Sequence, residues 1–220
     1  IITCGVKSDC DVHLQDFSSD IRGIKAEIVS PSGNLHLATP LVGEFNLRNI
    51  LCAIAIGIVH EEDLGCIQKG LEDVKTVPGR LERISFAEIP ANSPAVFIDY
   101  AHTPDALENV LGALRKLNPK RLICLFGCGG DRDQGKRVLM GEIAGTLSDV
   151  VLATSDNPRS EPPEKILQQI EEGLLISPLK KISAWEMLSR KDGKGYDIII
   201  NRRQAISTAI RYANPDDIIL

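Results

Sequence analysis

Residues able to do chemistry gather in short runs, each placed directly after an apolar stretch. The densest is Gly127-Cys128-Gly129-Gly130-Asp131-Arg132-Asp133-Gln134-Gly135-Lys136-Arg137. It follows Arg121-Leu122-Ile123-Cys124-Leu125-Phe126, which reads as a buried strand, and a helix-like pattern comes after it. Glycines at a strand-to-helix turn let backbone N–H groups converge on an anion, and the helix N-terminus adds partial positive charge. Arg132, Lys136 and Arg137 add full charges beside that turn. The run suits phosphate or carboxylate handling, although the same glycines also serve plain close packing of a helix on a sheet. Gly130, Gly135 and Lys136 have the spacing of a P-loop, but Arg137 occupies the place of the Ser or Thr hydroxyl that binds Mg²⁺, so a Walker A loop is rejected.

A second run, Asp99-Tyr100-Ala101-His102-Thr103-Pro104, puts a carboxylate, a phenol and an imidazole into one turn. Asp99 is able to accept from ribose hydroxyls, and His102 to stack on a base or touch a phosphate. The plainer alternative is a turn-capping Asp99 and a surface His102. A third, Asp156-Asn157-Pro158-Arg159, is a rigid turn that pre-aims a guanidinium, whose planar fork grips a carboxylate with two parallel hydrogen bonds. With Arg132 on the neighbouring turn, two guanidiniums would face one anionic substrate; an Asx-turn with a solvated Arg is the alternative. In Gly43-Glu44-Phe45-Asn46-Leu47-Arg48-Asn49, Asn46 and Asn49 lie on one helix face, or Asn46 serves as the N-cap. Arg80 follows a Val77-Pro78-Gly79 break, where it would reach a ligand or pair with Glu82.

The elements that must position these runs are legible from their periodicity. Residues 1–40 are β-rich, with Val12–Leu14, Ile24–Val29 and Leu35–Leu37 as strands and a hairpin turn at Pro31-Ser32-Gly33-Asn34. Leu47, Ile50, Leu51, Ile54 and Ile58 mark an amphipathic helix, and a second spans Asp63 to Val74. Beyond the break, strands at 95–98, 121–126, 150–153, 198–200 and 218–220 alternate with helical patterns. Thr103-Pro104 opens the first of these helices, which carries Leu107, Val110, Leu111 and Leu114. The next carries Leu139, Ile143 and Leu147, another Ile166, Ile170 and Leu174 behind Pro162-Pro163, and the last Ile206, Ala209 and Ile210. Lys191–Gly195 reads as a loop. Alternation of this kind predicts an α/β fold, a mostly parallel sheet covered on both faces by helices and preceded by a smaller α+β piece. Ligands of such sheets bind beyond the carboxyl ends of the strands, where all three polar runs fall.

Composition narrows the function classes. The 220 residues are 43% hydrophobic with a net charge of −5, ordinary for a globular chain and unfavourable for nonspecific nucleic-acid binding. No apolar run is long enough for a membrane span. Cys4, Cys10, Cys52, Cys66, Cys124 and Cys128 show no paired zinc spacing and read as reduced, mostly buried thiols; Cys128 sits inside the glycine turn, where a thiolate would be favoured, but with no general base beside it the residue reads as spectator packing. His13, His36, His60 and His102 form no metal pattern, and no G-x-S-x-G elbow is present.

Gly43–Asn49, Pro78-Gly79-Arg80-Leu81-Glu82, Asp99–Ala106, Phe126–Arg137 with Met140-Gly141, and Asp156–Arg159 occur in the order and spacing of the Mur ligases. From about residue 10 onward the chain most closely resembles their MurE branch, the UDP-N-acetylmuramoyl-tripeptide synthetases. The resemblance implies a division into 1–78, the tail of the central ATPase domain, and 79–220, a Rossmann-like domain for the incoming amino acid. It implies ATP and Mg²⁺ as cofactors, phosphorylation of a carboxylate on a UDP-muramoyl dipeptide, and attack by the amine of meso-diaminopimelate. Arg132, Asp156, Asn157, Pro158 and Arg159 would hold that amino acid, and Asn46, Asn49, Arg80, Asp99 and His102 would contact ATP. The Walker A loop, the acidic Mg²⁺ ligands and a carbamylated lysine are expected upstream, and a G-K-G-H-E motif just downstream, so no catalytic residue is assigned here. Asn201-Arg202-Arg203 departs from a more usual Asp-Arg, and residues 176–195 are unusual in length and composition for the family. The implied protein is a monomer of the bacterial cytoplasm, or of the plastid for a plant homologue, inactive when cut to these residues. The competing expectation is a non-catalytic homologue used as a scaffold; a nucleotide-binding oxidoreductase would want a G-x-G-x-x-G turn that is not here.

Overall fold

The computed structural model of the chain describes residues 1–85, 90 and 92–220. It divides into two compact units, Ile1–Glu82 and Arg83–Leu220.

In the first unit, β1 (Cys4–Gly5), β2 (Val12–Asp20), β3 (Gly23–Ser30) and β4 (Gly33–Thr39) form a sheet in chain order, parallel between β1 and β2 and antiparallel after that. The β3–β4 hairpin turns at Pro31-Ser32, with Ser30 Oγ donating to the Gly33 carbonyl at 2.7 Å. Alternate residues of β3 and β4, among them Ile24, Ala26, Ile28, Leu35 and Leu37, point to one face. They bury it against Leu47, Ile50, Leu51 and Ile54 of α1 (Glu44–Val59). Helix α2 (Leu64–Asp73) begins where Asp63 Oδ1 accepts the N–H groups of Gly65 and Cys66 at 3.0 and 3.1 Å. Helix α1 starts earlier than its apolar stripe suggests. Its N-cap is Gly43, so the reading of Asn46 as a cap falls.

The second unit contains β6 (Ala95–Ile98), α3 (Pro104–Arg115), β7 (Leu122–Phe126), α4 (Gly135–Leu147), β8 (Val150–Ala153), α5 (Pro163–Ile176), α6 (Ala184–Ser189), β9 (Gly195–Ile198), α7 (Arg202–Tyr212) and β10 (Ile218–Ile219). With the short β5 (Glu82–Arg83) at the division, the sheet order is β5-β6-β10-β7-β8-β9, and every pairing from β6 to β9 is parallel. The chain steps outward through β6, β7, β8 and β9, then returns to insert β10 beside β6. Right-handed crossovers therefore place α3, α4 and α5 on one face and α7 on the other. The core agrees. Ile123, Val150, Leu152 and Ile219 pack with Ala184, Met187 and Leu188 of α6 and Ala209 of α7. This is the expected Rossmann-like α/β architecture with helices on both faces.

Two helix stripes differ from expectation. Helix α4 buries Arg137, Met140, Gly141, Ala144 and Gly145, while Leu139 is half exposed. The reason is close approach by α5: a Cβ on Gly141 would overlap the Ile170 carbonyl, and one on Gly173 the Val138 carbonyl. Two backbones that touch through glycines leave the larger side chains at the rim. Helix α7 likewise buries Ala205 and Ala209 and exposes Ile206 and Ile210. The apolar run at 198–200 also begins later than the strand it marks: β9 starts at Gly195 and ends at Ile198, so Ile199 and Ile200 lie beyond it.

One buried ion pair joins the starts of two adjacent central strands. Arg121, at the start of β7, donates from Nε and Nη2 to Asp217, just before β10, with the shortest contact at 2.5 Å. Both side chains are almost completely buried. Nη1 of Arg121 also donates to the carbonyls of Met187 and Arg190, at 3.2 and 2.7 Å, which ties α6 to the same point.

Candidate functional site

The carboxyl ends of β6, β7, β8 and β9 each open into a polar loop, and hydrogen bonds join these loops side by side. Beyond β6, Thr103 Oγ1 caps α3 by accepting the Ala106 N–H at 3.3 Å, as its Thr-Pro start predicts. His102 Nδ1 lies 3.0 Å from the Tyr100 carbonyl. A carbonyl only accepts, so this nitrogen carries the proton and the ring is fixed in one tautomer while neutral. The Tyr100 and His102 rings sit 4.9 Å apart at 57°. Lys136, in the first turn of α4, donates Nζ to the His102 carbonyl at 2.8 Å. The glycine run after β7 is thereby fastened to the Asp99–Thr103 turn.

The joint between the glycine run and the loop after β8 is denser. The Gly130 N–H donates to the Asn157 carbonyl at 2.9 Å, and Arg159 Nη1 donates to the Gly130 carbonyl at 2.5 Å. A Cβ on Gly130 would overlap the Pro158 carbonyl, so only glycine lets the loops approach this closely. Asp131 accepts the Ser160 hydroxyl at 2.7 and 2.9 Å and the Ser160 N–H at 3.1 Å, bonds that hold its carboxyl below the ordinary value. Glu161 accepts the Asp131 N–H at 2.5 Å and a bidentate pair from Arg137 at 2.7 and 2.9 Å. The last loop joins as well, since the Ser155 N–H and Thr154 Oγ1 both reach the Ile200 carbonyl, at 3.2 and 3.3 Å.

Arg137 is therefore not one of the free positive charges beside the turn. It is fully buried and also donates to Gln169 and to the Gly129 carbonyl. Its pairing with Glu161 is the main reason that carboxyl is held down to about 2. A carboxyl whose folded pKa lies below the ordinary 4.5 stabilises the fold above that pH and stops doing so as pH falls towards 2. Glu161→Gln should accordingly melt below the wild type at neutral pH, and the gap should close between about pH 4.5 and pH 2 in thermal scans. A gap independent of pH would show that the Glu161 charge is not what counts.

The structure thus gathers Asp156, Asn157, Pro158, Arg159 and Arg132 on two neighbouring loops, with Arg132, Asp156, Asn157 and Arg159 exposed. The Asx-turn alternative survives only as a long contact, 3.4 Å from Asn157 Oδ1 to the Arg159 N–H, and Arg159 is anchored rather than simply solvated. Asp99 and His102 stand on the adjoining loop. In the first unit, Asn46 is buried and donates Nδ2 to the Val42 carbonyl at 2.8 Å, while Asn49 reaches Asn46 Oδ1 at 3.4 Å from an exposed position. Arg80 is exposed between Gly79 and Leu81, both in the left-handed region, and Glu82 accepts the Gly79 N–H at 2.9 Å. Sequence reasoning passed over Ser160 and Glu161. One signal pointed to Glu161's partner: Arg137 is spaced three and four residues from Met140 and Gly141, on the buried face.

Cys128 is a packing residue. Burial pushes its thiol up to about 11, and its sulfur lies 3.8 Å from that of Met140. Iodoacetamide at pH 8 should spare Cys128 in the native protein while labelling the exposed Cys66; rapid labelling of Cys128 would contradict this. Among the described residues no cluster of three or more His, Cys, Asp or Glu is arranged to hold a metal ion. None of their helices is long and apolar enough to cross a membrane.

Comparison with known proteins gives the family and the fold. The pattern that defines the Mur ligase, glutamate ligase domain matches residues 79–220. The UDP-N-acetylmuramoyl-L-alanyl-D-glutamate–2,6-diaminopimelate ligase of Synechocystis sp. is 44% identical over 97% of the chain, which spans 39% of that relative. A solved structure of a ligase of the same description is 32% identical with a TM-score of 0.63, covering 97% of this chain and 40% of that one. The UDP-N-acetylmuramate–alanine ligase of Thermotoga maritima, 21% identical with a TM-score of 0.70, covers 100% of this chain and 43% of its own, and shares the fold. The chain, about two fifths the length of such relatives, belongs to the Mur ligase family, and its residues 79–220 form that family's C-terminal domain.

Proposed function

We propose that the whole protein is an ATP-dependent ligase that adds meso-diaminopimelate to UDP-N-acetylmuramoyl-L-alanyl-D-glutamate during peptidoglycan precursor synthesis. In this reading residues 79–220 supply the amino-acid site and residues 1–78 are the tail of the ATPase domain. The observation that carries it is the anchoring of Arg159. One N–H of its guanidinium is spent on the Gly130 carbonyl, which fixes the group while other N–H donors remain for a carboxylate. Diaminopimelate has two amino-acid ends, and its distal carboxylate is the group this fork suits. Arg132 shares the anionic end, Asp156 faces an ammonium, and Asn157 and Pro158 shape the turn between them.

The chemistry is phosphoryl transfer followed by aminolysis. The γ-phosphoryl of ATP passes to the dipeptide carboxylate, the amine attacks the acyl phosphate, and phosphate leaves as the amide forms. Asn46, Asn49, Arg80, Asp99 and His102 are the residues assigned to the nucleotide, and His102 Nδ1 is already engaged by the Tyr100 carbonyl. The protein's contribution is chiefly position and charge neutralisation. Magnesium accompanies ATP, but no residue of this chain is assigned to it and no step above depends on it. The cytoplasm, or a plastid stroma, is the compartment that supplies such substrates. The similarity of the chain to diaminopimelate ligases supports the reading. The test is product formation by the whole enzyme with ATP, the UDP-muramoyl dipeptide and meso-diaminopimelate. Stoichiometric ADP and the tripeptide product are expected; absence of both overturns it and favours the scaffold alternative.

A further inference from the structure

We infer that Asp131 and Ser160 are positioning residues that set selectivity for the distal carboxylate by holding Arg159 in an otherwise unfavoured backbone conformation; this rests on the reading of Arg159 above. Arg159 has φ 49 and Asp131 has φ 51, both in the left-handed region. For residues with a Cβ that conformation is costly and persists only where surrounding bonds over-determine it. The bonds are all present. On one side of Arg159 the Asn157 carbonyl accepts the Gly130 N–H; on the other, Ser160 is bound by the Asp131 carboxylate through its hydroxyl and its N–H. Glu161 then accepts the Asp131 N–H and is itself held by buried Arg137. Arg159 is the rung between two fastened ends, with its guanidinium drawn to the Gly130 carbonyl.

Neither Asp131 nor Ser160 needs to touch the substrate. Their work is done in the free enzyme, where they restrict Arg159 to one orientation and remove the cost of ordering it on binding. Releasing the Ser160–Asp131 bonds leaves Arg159 chemically intact and free to relax towards an extended backbone. The consequence belongs in KM for the amino acid, because the same guanidinium still reaches the substrate once it is bound.

The experiment is steady-state kinetics of the whole enzyme carrying Ser160→Ala, Ser160→Thr or Asp131→Asn, with melting temperature measured alongside. Ser160→Ala should raise KM for meso-diaminopimelate by roughly tenfold, the scale of one lost charge-assisted hydrogen bond, with kcat and KM for ATP unchanged. Asp131→Asn should act in the same direction, and Ser160→Thr, which keeps the hydroxyl, should restore the wild-type KM. A role in stability alone would instead lower the melting temperature and leave all KM values in place, or fail to be rescued by threonine; either result overturns the inference. Wild-type enzyme inactive with diaminopimelate would overturn the functional reading itself. Active wild type with an unaltered Ser160→Ala would overturn only the positioning role.

Discussion

Replacing Arg159 with Ala in the whole enzyme should lower kcat/KM for meso-diaminopimelate by about 10²–10³, the equivalent of two charge-assisted hydrogen bonds at roughly 1.5–3 kcal/mol each, less the partial compensation by water. The expectation follows from the anchoring geometry. The guanidinium is already held at the glycine run by a 2.5 Å bond, so its orientation is fixed before the substrate arrives. Arg159→Lys should recover only a small part of the loss, because an ammonium keeps the charge and gives up the fork. The fold should suffer little, since Arg159 is exposed and Ala removes only its guanidinium's bond to the Gly130 carbonyl, worth on the order of 1 kcal/mol. Kinetics with each variant check this, with diaminopimelate varied at saturating ATP and dipeptide and ATP then varied at saturating diaminopimelate and dipeptide. A loss shared equally between the KM values for ATP and diaminopimelate would place Arg159 outside the amino-acid site.

The second large effect is on stability. Arg121→Met should cost about 3–5 kcal/mol, because it leaves Asp217 as an uncompensated charge in the interior. The carbonyls of Met187 and Arg190 lose their donor as well. The site of damage is the joint between β7 and the inserted β10. For a unit of this size the loss corresponds to a melting temperature lower by on the order of 10 °C. Adding Asp217→Leu should restore part of it, since a buried pair replaced by apolar groups is often neutral, whereas half a pair is not. The decisive comparison is between single and double variants: a double variant less stable than Arg121→Met would show that Asp217 acts through Asn214, its other partner, rather than through the arginine.

Much of this was readable before any coordinates. Caps and stripes carry local information. Thr103-Pro104 announced α3, Asp63 announced α2, and Ile166, Ile170 and Leu174 marked the buried face of α5, because each signal depends on neighbours in the chain. The faces of α4 and α7 were misread for a shared reason. Periodicity counts large apolar side chains, while these helices meet their partners through Gly141, Gly145, Ala205 and Ala209 and leave Leu139, Ile206 and Ile210 outside. Helix α6 went unseen in the polar stretch after α5; its six residues are too short to show a period. Strand β2 runs on to Asp20 through residues with no apolar alternation, because its pairing with β3 rather than a buried face defines it.

The candidate site divides in the same way. Arg132, Asp156, Asn157, Arg159, Asp99 and His102 were named from types and turns, and the parallel topology brings their loops together at the carboxyl ends of the strands. The brace behind them was not legible. Arg137 and Glu161 are 24 residues apart, and Asp131 and Ser160 are 29 apart. No local pattern pairs groups at such distances; the pairing emerges only once β7 and β8 lie side by side.

The most direct test of the two-guanidinium site is calorimetric titration of the whole enzyme, in the presence of an unreactive ATP analogue and the UDP-muramoyl dipeptide, with meso-diaminopimelate and separately with L-lysine. The two ligands differ by the distal carboxylate. Diaminopimelate should bind about 100-fold more tightly, and the preference should vanish in Arg159→Ala. Equal affinities in the wild type, or a preference that survives loss of Arg159, would contradict the assignment.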